Sequence, residues 1–164
     1  AAALAGINPA TARIQTRAAR KQTIHAPKKQ KKARVPFVKN SAIYSTICNR
    51  TEDNDCMVRA LALASQAGYD AAHAMLKVFG RKDFEGTTQY ASVLACRSFK
   101  GRFFINYTSS ISLGEFIQQH PVGRFVLHRM GHAFALINGI VHDWSSTTSS
   151  NETTQIVFAY EFFA

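Results

Sequence analysis

Residues 54–68 read NDCMVRALALASQAG and contain the strongest helical pattern in the chain. Apolar residues recur throughout the stretch, and Gly68 is a favourable C-terminal stop. The acidic and amide side chains at positions 53–55 are all suitable N-terminal caps. We therefore predict a helix that begins at Cys56 and holds this cysteine in its first turn.

The position of a cysteine bears on its chemistry, because free N–H groups and the macrodipole at a helix N-terminus favour a thiolate. Cys48 precedes the helix, and Cys96 lies late in another predicted helix, where the dipole disfavours a thiolate. Position therefore selects Cys56 as a nucleophile, although a free cysteine is more often a small buried apolar residue. The odd and low number of cysteines, 3 in all, indicates a reducing compartment.

The other elements follow the order helices first, strands second. Helices are predicted at 70–79, 87–99 and 112–120, the first capped by Asp70 and the second turning Tyr90, Val93, Leu94 and Cys96 inward. Strands are predicted at 123–128, 133–138, 140–144 and 155–163. A helical part packed on a C-terminal antiparallel β-meander is an α+β fold.

A strong hairpin signal, Asn138-Gly139, lies in the strand region, because both residues tolerate positive φ. Pairing about this turn puts residue 134 opposite 143, so Asp143 lies diagonally close to His132. A carboxylate there can accept from the imidazole and fix its tautomer.

These positions predict a thiol hydrolase, in which Cys56 attacks, His132 is the base and Asp143 orients the base. Gly131 is expected to leave space beside the imidazole. Asn106 and Asn138 are weaker candidates for the orienting group. The alternative for His132 is a hydrogen-bonded structural histidine.

Together these residues resemble the papain-like cysteine peptidase superfamily, especially the small peptidase-C39-like proteins encoded by bacteriophages. In those proteins Asn-Asp-Cys opens a helix with Arg-Ala-Leu, and a His-Pro-x-Gly turn precedes a Gly-His-Ala strand and a hairpin that ends in Asp. The motifs here are Asn54-Asp55-Cys56, Arg59-Ala60-Leu61, His120-Pro121-Val122-Gly123, Gly131-His132-Ala133 and Ile140-Val141-His142-Asp143. The match covers about residues 50–163.

The resemblance implies a papain-like fold and a thiol protease that cleaves a peptide or isopeptide through a thioester acyl-enzyme, in a virion or the host cytoplasm. The family's glutamine about six residues before the nucleophile is replaced by Arg50. The oxyanion is then expected to be held by the Cys56 N–H with the Asn54 side chain, or by the 53–55 loop. Because one lost oxyanion donor costs about 10²–10³ in rate, a weak or inactive structural virion protein is the alternative.

A second resemblance is to the ovarian-tumour deubiquitinases, whose nucleophile segment is similar to residues 53–61. His142-Asp143-Trp144 would then stand for their C-terminal histidine segment. This resemblance implies an isopeptidase, and it ranks second because Gly131-His132 fits the phage pattern better.

The net charge of +10 is confined to one part of the chain. Residues 1–40 hold ten of the 20 lysines and arginines and no acidic residue, whereas residues 41–164 are formally neutral. We predict two regions: a basic arm at 1–40, extended or partly helical, and a hydrolase domain at 41–164. The arm's basic residues are Arg13, Arg17, Arg20, Lys21, Lys28, Lys29, Lys31, Lys32, Arg34 and Lys39.

Such an arm is expected to bind nucleic-acid phosphates in a salt-sensitive manner, or an acidic protein surface, and so to tether the domain to a large assembly. The alternatives are a solvated tail or an organelle transit peptide. Because the chain begins with Ala1, either its N-terminus is processed or residues precede it.

Metal and membrane functions are disfavoured by the pattern. A zinc site at His128 and His132 with Cys48 or Cys56 would place both histidines around a strand-to-strand turn, without zinc-ribbon cysteine spacing. We therefore expect no cofactor. No stretch approaches the roughly 20 apolar residues that a membrane span needs.

Overall fold

The computed structural model describes residues 34–39, 52–105, 111–144 and 151–163. In these residues the chain forms an α+β fold, with four helices in the N-terminal half packed on a mostly antiparallel six-stranded sheet. The helices are α1 (Cys56–Ser65), α2 (Tyr69–Val78), α3 (Gln89–Ser98) and α4 (Leu113–Gln119). The strands are β1 (Phe37–Lys39), β2 (Arg102–Ile105), β3 (Ile111–Ser112), β4 (Arg124–Arg129), β5 (His132–Ile137), β6 (Ile140–Asp143), β7 (Gln155–Ile156) and β8 (Phe158–Phe162).

The main sheet has the order β1-β6-β5-β4-β8-β2. Its centre, β4-β5-β6, is the predicted meander, but β8 returns to pair with β4, and β1 joins the edge parallel to β6. The single strand predicted at 155–163 is divided into two, because β7 pairs with β3 and β8 pairs with β4. Strands β1, β2 and β3 were not predicted.

Apolar side chains cover both faces of the sheet, as alternation along a strand requires. One face packs Val126, Ala133 and Tyr160 beneath α1 and α2. The other packs Phe125, Leu127, Phe134 and Leu136 against Phe116 of α4. Helix α1 lies between α2 and the sheet, and Met57, Val58, Ala60, Leu61 and Ala64 are almost fully buried. This packing fixes the N-terminus of α1 against the sheet.

Two helix predictions were wrong in detail. Helix α2 begins at Tyr69 after Gly68, so Asp70 lies in its first turn and is not the cap. In α3 the buried face is centred on Ala91, Ala95 and Cys96, so Tyr90 is 70% exposed.

The end of the predicted arm belongs to the sheet. Phe37–Lys39 form β1, and Arg34 makes an isolated antiparallel bridge with Asn151. Arg34 and Lys39 are exposed, whereas the other basic residues predicted to bind a partner lie outside the described residues, as do Cys48, Arg50 and Asn106. None of the described helices has the length and apolar character to cross a membrane.

Candidate active site

The β5–β6 hairpin brings together the predicted histidine and aspartate. Asn138 and Gly139 have φ of 48° and 74°, as a tight two-residue hairpin turn requires. Residue 137 pairs with 140 and residue 135 with 142, which confirms the predicted register. His132 Nε2 lies 2.6 Å from Asp143 Oδ2.

Both oxygens of the buried Asp143 carboxylate are held. Oδ2 bonds His132, and Oδ1 accepts the main-chain N–H of Trp144 at 2.7 Å. The Trp144 indole lies nearly parallel to the imidazole, with ring centroids 6.2 Å apart. Because Asp143 engages Nε2, the other ring nitrogen of His132, Nδ1, is left for a second partner. Trp144 was not singled out as a site residue from the sequence, although it directly follows Asp143.

Cys56, the first residue of α1, is a further partner of His132. The thiol is partly buried and hydrogen-bonds His132. The N–H groups at the start of α1 have no partner within the helix and lie close to the sulfur. The structure thus brings Cys56, His132 and Asp143 together.

The space predicted beside Gly131 is not its function. A Cβ added there would meet no atom within 4 Å, so the site is open with or without a glycine. Gly131 has φ of +70° in the β4–β5 turn, and a glycine takes this conformation without strain.

The electrostatics of the site favour a charged base. Burial lowers the pKa of His132, but hydrogen bonds to Asp143 and Cys56, and their charges, outweigh burial and raise it to about 9. His132 is therefore an imidazolium at neutral pH. A cation in contact with a thiol stabilises the thiolate, which is the reactive form of cysteine.

The segment that precedes Cys56 is anchored at Asp55. Asp55 is the N-cap of α1 but makes no side-chain cap hydrogen bond, contrary to the role considered for it. Its buried carboxylate instead bonds Arg59 Nε at 2.8 Å and the Tyr69 hydroxyl at 3.0 Å. The carboxylate therefore ties α1 to α2.

Glu52 is a second buried anchor of the same segment. Its carboxylate accepts from Arg81 Nη2 and lies 2.9 Å from His73 Nε2. Burial raises the pKa of Glu52, but these hydrogen bonds lower it below its usual value. The sequence did not reveal this contact, because no local pattern links residues 29 positions apart.

Glu52, His73 and Asp83 place their potential ligand atoms within 4.8 Å of one another. However, Arg81 already bonds Glu52, and Lys77 Nζ lies 3.0 Å from Asp83. A metal ion would have to compete with both cations. We therefore interpret the group as an ion-pair network.

Asn54, the predicted oxyanion donor, lies on the exposed turn between the two anchors. Its Nδ2 donates to the Phe84 carbonyl at 3.0 Å. An amide nitrogen carries two hydrogens, so one donor remains. Asn54 also lines the cavity at the active site.

A cavity of about 400 Å³ opens beside Cys56 and His132. Its walls are mostly uncharged and include Met57, Thr87, Gln89, Ser92, His128, Met130, Trp144, Val157 and Phe158. The cavity can accommodate a substrate group next to the thiol.

His128, one candidate zinc ligand, is buried in the wall of this cavity and stacks on Phe158 at 3.8 Å between centroids. Burial, and then the charge of His132, lower the pKa of His128 to about 3. Its Nε2 has no hydrogen-bond partner among the described residues. His142, considered in the deubiquitinase resemblance, lies on β6, and Asp143 bonds His132.

No family model matches the chain, and neither a curated protein nor a solved structure gives a significant match to it. The interpretation of the site therefore depends on its geometry and chemistry.

Proposed function

We propose that this protein is a papain-like cysteine hydrolase of the phage peptidase type. The observation that supports the proposal is the chain of contacts from the Cys56 thiol to His132 and from His132 to Asp143, at the wall of a cavity. A helix N-terminus that carries a cysteine and faces a histidine on an antiparallel sheet is also the arrangement that the resemblance implies.

In the first half-reaction the Cys56 thiolate attacks a substrate carbonyl carbon, and the oxyanion forms beside the Cys56 N–H and the Asn54 amide. The His132 imidazolium then protonates the leaving amine as the carbon–nitrogen bond breaks, which leaves a thioester. In the second half-reaction neutral His132 takes a proton from water, and the hydroxide attacks the thioester. The acid product leaves, and the thiolate–imidazolium pair is restored. Asp143 holds the imidazole in one orientation throughout.

The first test compares the thiols of the intact protein. Iodoacetamide is expected to alkylate Cys56 much faster than Cys96, because Cys96 is fully buried and burial raises the pKa of its thiol. The substitution His132→Ala should slow the alkylation of Cys56 itself and leave Cys96 unchanged. If Cys56 is alkylated no faster than Cys96, the hydrolase proposal fails.

A second candidate is a structural protein that has kept the fold without activity. It is favoured by the missing glutamine and by the use of one Asn54 hydrogen in the bond to Phe84. An activated ester separates the two candidates, because an enzyme should release its leaving group in a burst as Cys56 becomes acylated. Fast alkylation without acylation would favour the structural protein. The pairing of Asp143 with His132 favours the phage type over the deubiquitinase type.

We further propose that the basic arm tethers the domain to nucleic acid or another acidic surface in a large assembly. The test keeps the chain intact and replaces Lys28, Lys29, Lys31 and Lys32 by glutamine. Binding to duplex DNA should weaken, and the slope of log K against log salt should decrease by about 0.9 for each lost phosphate contact. The control replaces by glutamine the three exposed lysines of the domain, Lys77, Lys82 and Lys100, and should leave the salt slope unchanged. An unchanged salt slope in the arm variant would contradict the role of the arm.

A further inference from the structure

Phe84 has an unfavourable backbone conformation close to the proposed site. Its φ is +63°, and its side chain is 56% exposed. The left-handed region is unfavourable for a bulky residue, so the surrounding contacts must hold it there. Because the ring is exposed, its burial does not offset the unfavourable φ. The stabilising contacts must therefore be made by the main chain.

Both main-chain groups of Phe84 bond the segment that precedes the nucleophile. Its carbonyl accepts from Asn54 Nδ2 at 3.0 Å, and its N–H donates to Glu52 Oε2 at 3.4 Å. Glu52 is fixed in turn by Arg81, three residues before Phe84. The 81–84 segment and the 52–54 segment therefore hold each other through three hydrogen bonds.

This arrangement matters because Asn54 is exposed and would otherwise be free to change rotamer. An oxyanion donor contributes to rate only when it is oriented before the reaction begins. With one hydrogen of its amide directed at the Phe84 carbonyl, the plane of the amide is fixed, and so is the direction of the second hydrogen.

We propose that Phe84 is a positioning residue, whose main chain, held at positive φ by Glu52, orients the Asn54 amide toward the oxyanion. This inference rests on the proposed hydrolase function. Asn54, held by the 81–84 segment, would then replace the missing glutamine as an oxyanion donor. Phe84 itself touches no reacting atom.

The test compares two reactions of Cys56 in the full chain. Acylation by p-nitrophenyl acetate passes through an oxyanion, whereas alkylation by iodoacetamide displaces iodide and forms none. A change that only misplaces the oxyanion donor should therefore slow acylation and leave alkylation unchanged. A change that damages the thiolate or the fold should slow both reactions.

Three substitutions at Phe84 make a positive φ at this position progressively less favourable. Phe84→Gly keeps the N–H, the carbonyl and positive φ, so it should acylate fastest of the three. Phe84→Val resists positive φ because it is β-branched, and Phe84→Pro excludes it and removes the N–H. Acylation should decrease in the order Gly, Val, Pro, by up to about 10²–10³-fold for Pro, the loss expected for one oxyanion donor. Alkylation should stay constant across the series.

Two further variants complete the design. Asn54→Ala removes the same donor without touching the 81–84 segment, and it should reproduce the proline result. Glu85→Gln is the matched control on the exposed loop, because Glu85 lies beside Phe84 and makes a solvent-exposed ion pair with Lys82 at 3.7 Å. If Phe84→Pro does not fold, the comparison of Phe84→Gly with Phe84→Val decides.

Equal acylation rates across the Phe84 series in an enzyme that is acylated would overturn the positioning role alone. A parallel loss of alkylation would also overturn it, because the segment would then shape the whole site. A wild-type protein that is alkylated but never acylated would overturn the hydrolase proposal and this inference together.

Discussion

His132 and His73 each bond a carboxylate through Nε2, but the two pairs have different surroundings. His132 lies 2.6 Å from Asp143, contacts the Cys56 thiol and lines the cavity. His73 lies 2.9 Å from Glu52 and stacks on Tyr69. The Glu52 carboxylate also bonds Arg81, whereas the second oxygen of Asp143 accepts a neutral main-chain N–H.

The difference shows why only one of the two histidine–carboxylate pairs is proposed to act on a substrate. Asp143 directs its charge at one imidazole, whose other nitrogen faces a thiol. Glu52 divides its charge between an arginine and a histidine, and it faces the interior of the helical layer. The first pair has the arrangement that the proposed proton transfer requires, whereas the second holds segments together.

The largest expected effect concerns the two histidines. His132→Ala should reduce the acylation rate of Cys56 by about 10²–10⁴-fold, the usual contribution of a general acid–base group. His73→Ala should leave the rate of the folded enzyme within a small factor of wild type. Burst kinetics with an activated ester measure both. Equal losses of acylation rate in the two variants would contradict a catalytic role that is specific to His132.

The next effect concerns stability. Glu52→Ala leaves the buried Arg81 without its partner and should lower the free energy of unfolding by about 3–5 kcal/mol. Glu161→Ala breaks the exposed pair with Arg102 and should cost at most about 1 kcal/mol. Urea denaturation at neutral pH measures both changes. A small loss for Glu52→Ala would mean that the network does not anchor the segment before Cys56.

A third expectation concerns His128, which is buried and stacks on Phe158. Its folded pKa of about 3 lies below the ordinary value of 6.5. Between those values the unfolded chain binds a proton that the folded protein does not, so stability is lost as pH falls below 6.5. The contribution should reach about 3 kcal/mol at pH 4.5.

The substitution His128→Phe keeps the stacking on Phe158 and should remove that part of the acid sensitivity. Urea denaturation at pH 7 and pH 4.5 gives the difference between the variant and the wild type. If the wild type and the variant lose the same stability between pH 7 and pH 4.5, His128 is charged in the folded protein.

The smallest expected effect is a change in the pH profile. With an amide substrate, whose leaving amine must be protonated, the proposed reaction needs the His132 imidazolium, and the pKa of about 9 sets the basic limb of the acylation rate. Asp143→Asn removes a cause that raises this pKa, so the limb should move to lower pH. The rate at neutral pH should decrease by about 10–100-fold, as for other groups that orient a functional histidine. If the basic limb stays near pH 9 in the variant, a group other than His132 causes it.

The sequence predicted those parts of the site that depend on local pattern. The α1 helix follows from apolar spacing, and the Asn138-Gly139 turn sets the register that places Asp143 beside His132. Both signals lie within a few residues of the groups they position. The α+β class was predicted for the same reason.

The remaining features depend on contacts between distant residues. Glu52 pairs with Arg81, and Phe84 bonds Asn54 across 30 positions, so no short-range pattern indicates either contact. Asp55 could have capped α1, but Arg59 and Tyr69 offer its carboxylate charge-assisted and buried partners. Tertiary partners outweighed the local preference in that case.

The parallel pairing of β1 with β6 has a mechanical consequence. The described part of the chain begins at Arg34, and β1 runs from there toward the end of the sheet at which Lys39 lies opposite Asp143. A force applied along the axis of β1 loads its hydrogen bonds to β6 together, in shear. Paired strands loaded in shear resist tension better than strands whose hydrogen bonds break one at a time. Arg34 precedes the end of β1 that is remote from Asp143, so a load applied at Arg34 enters the sheet away from the Asp143–His132 pair.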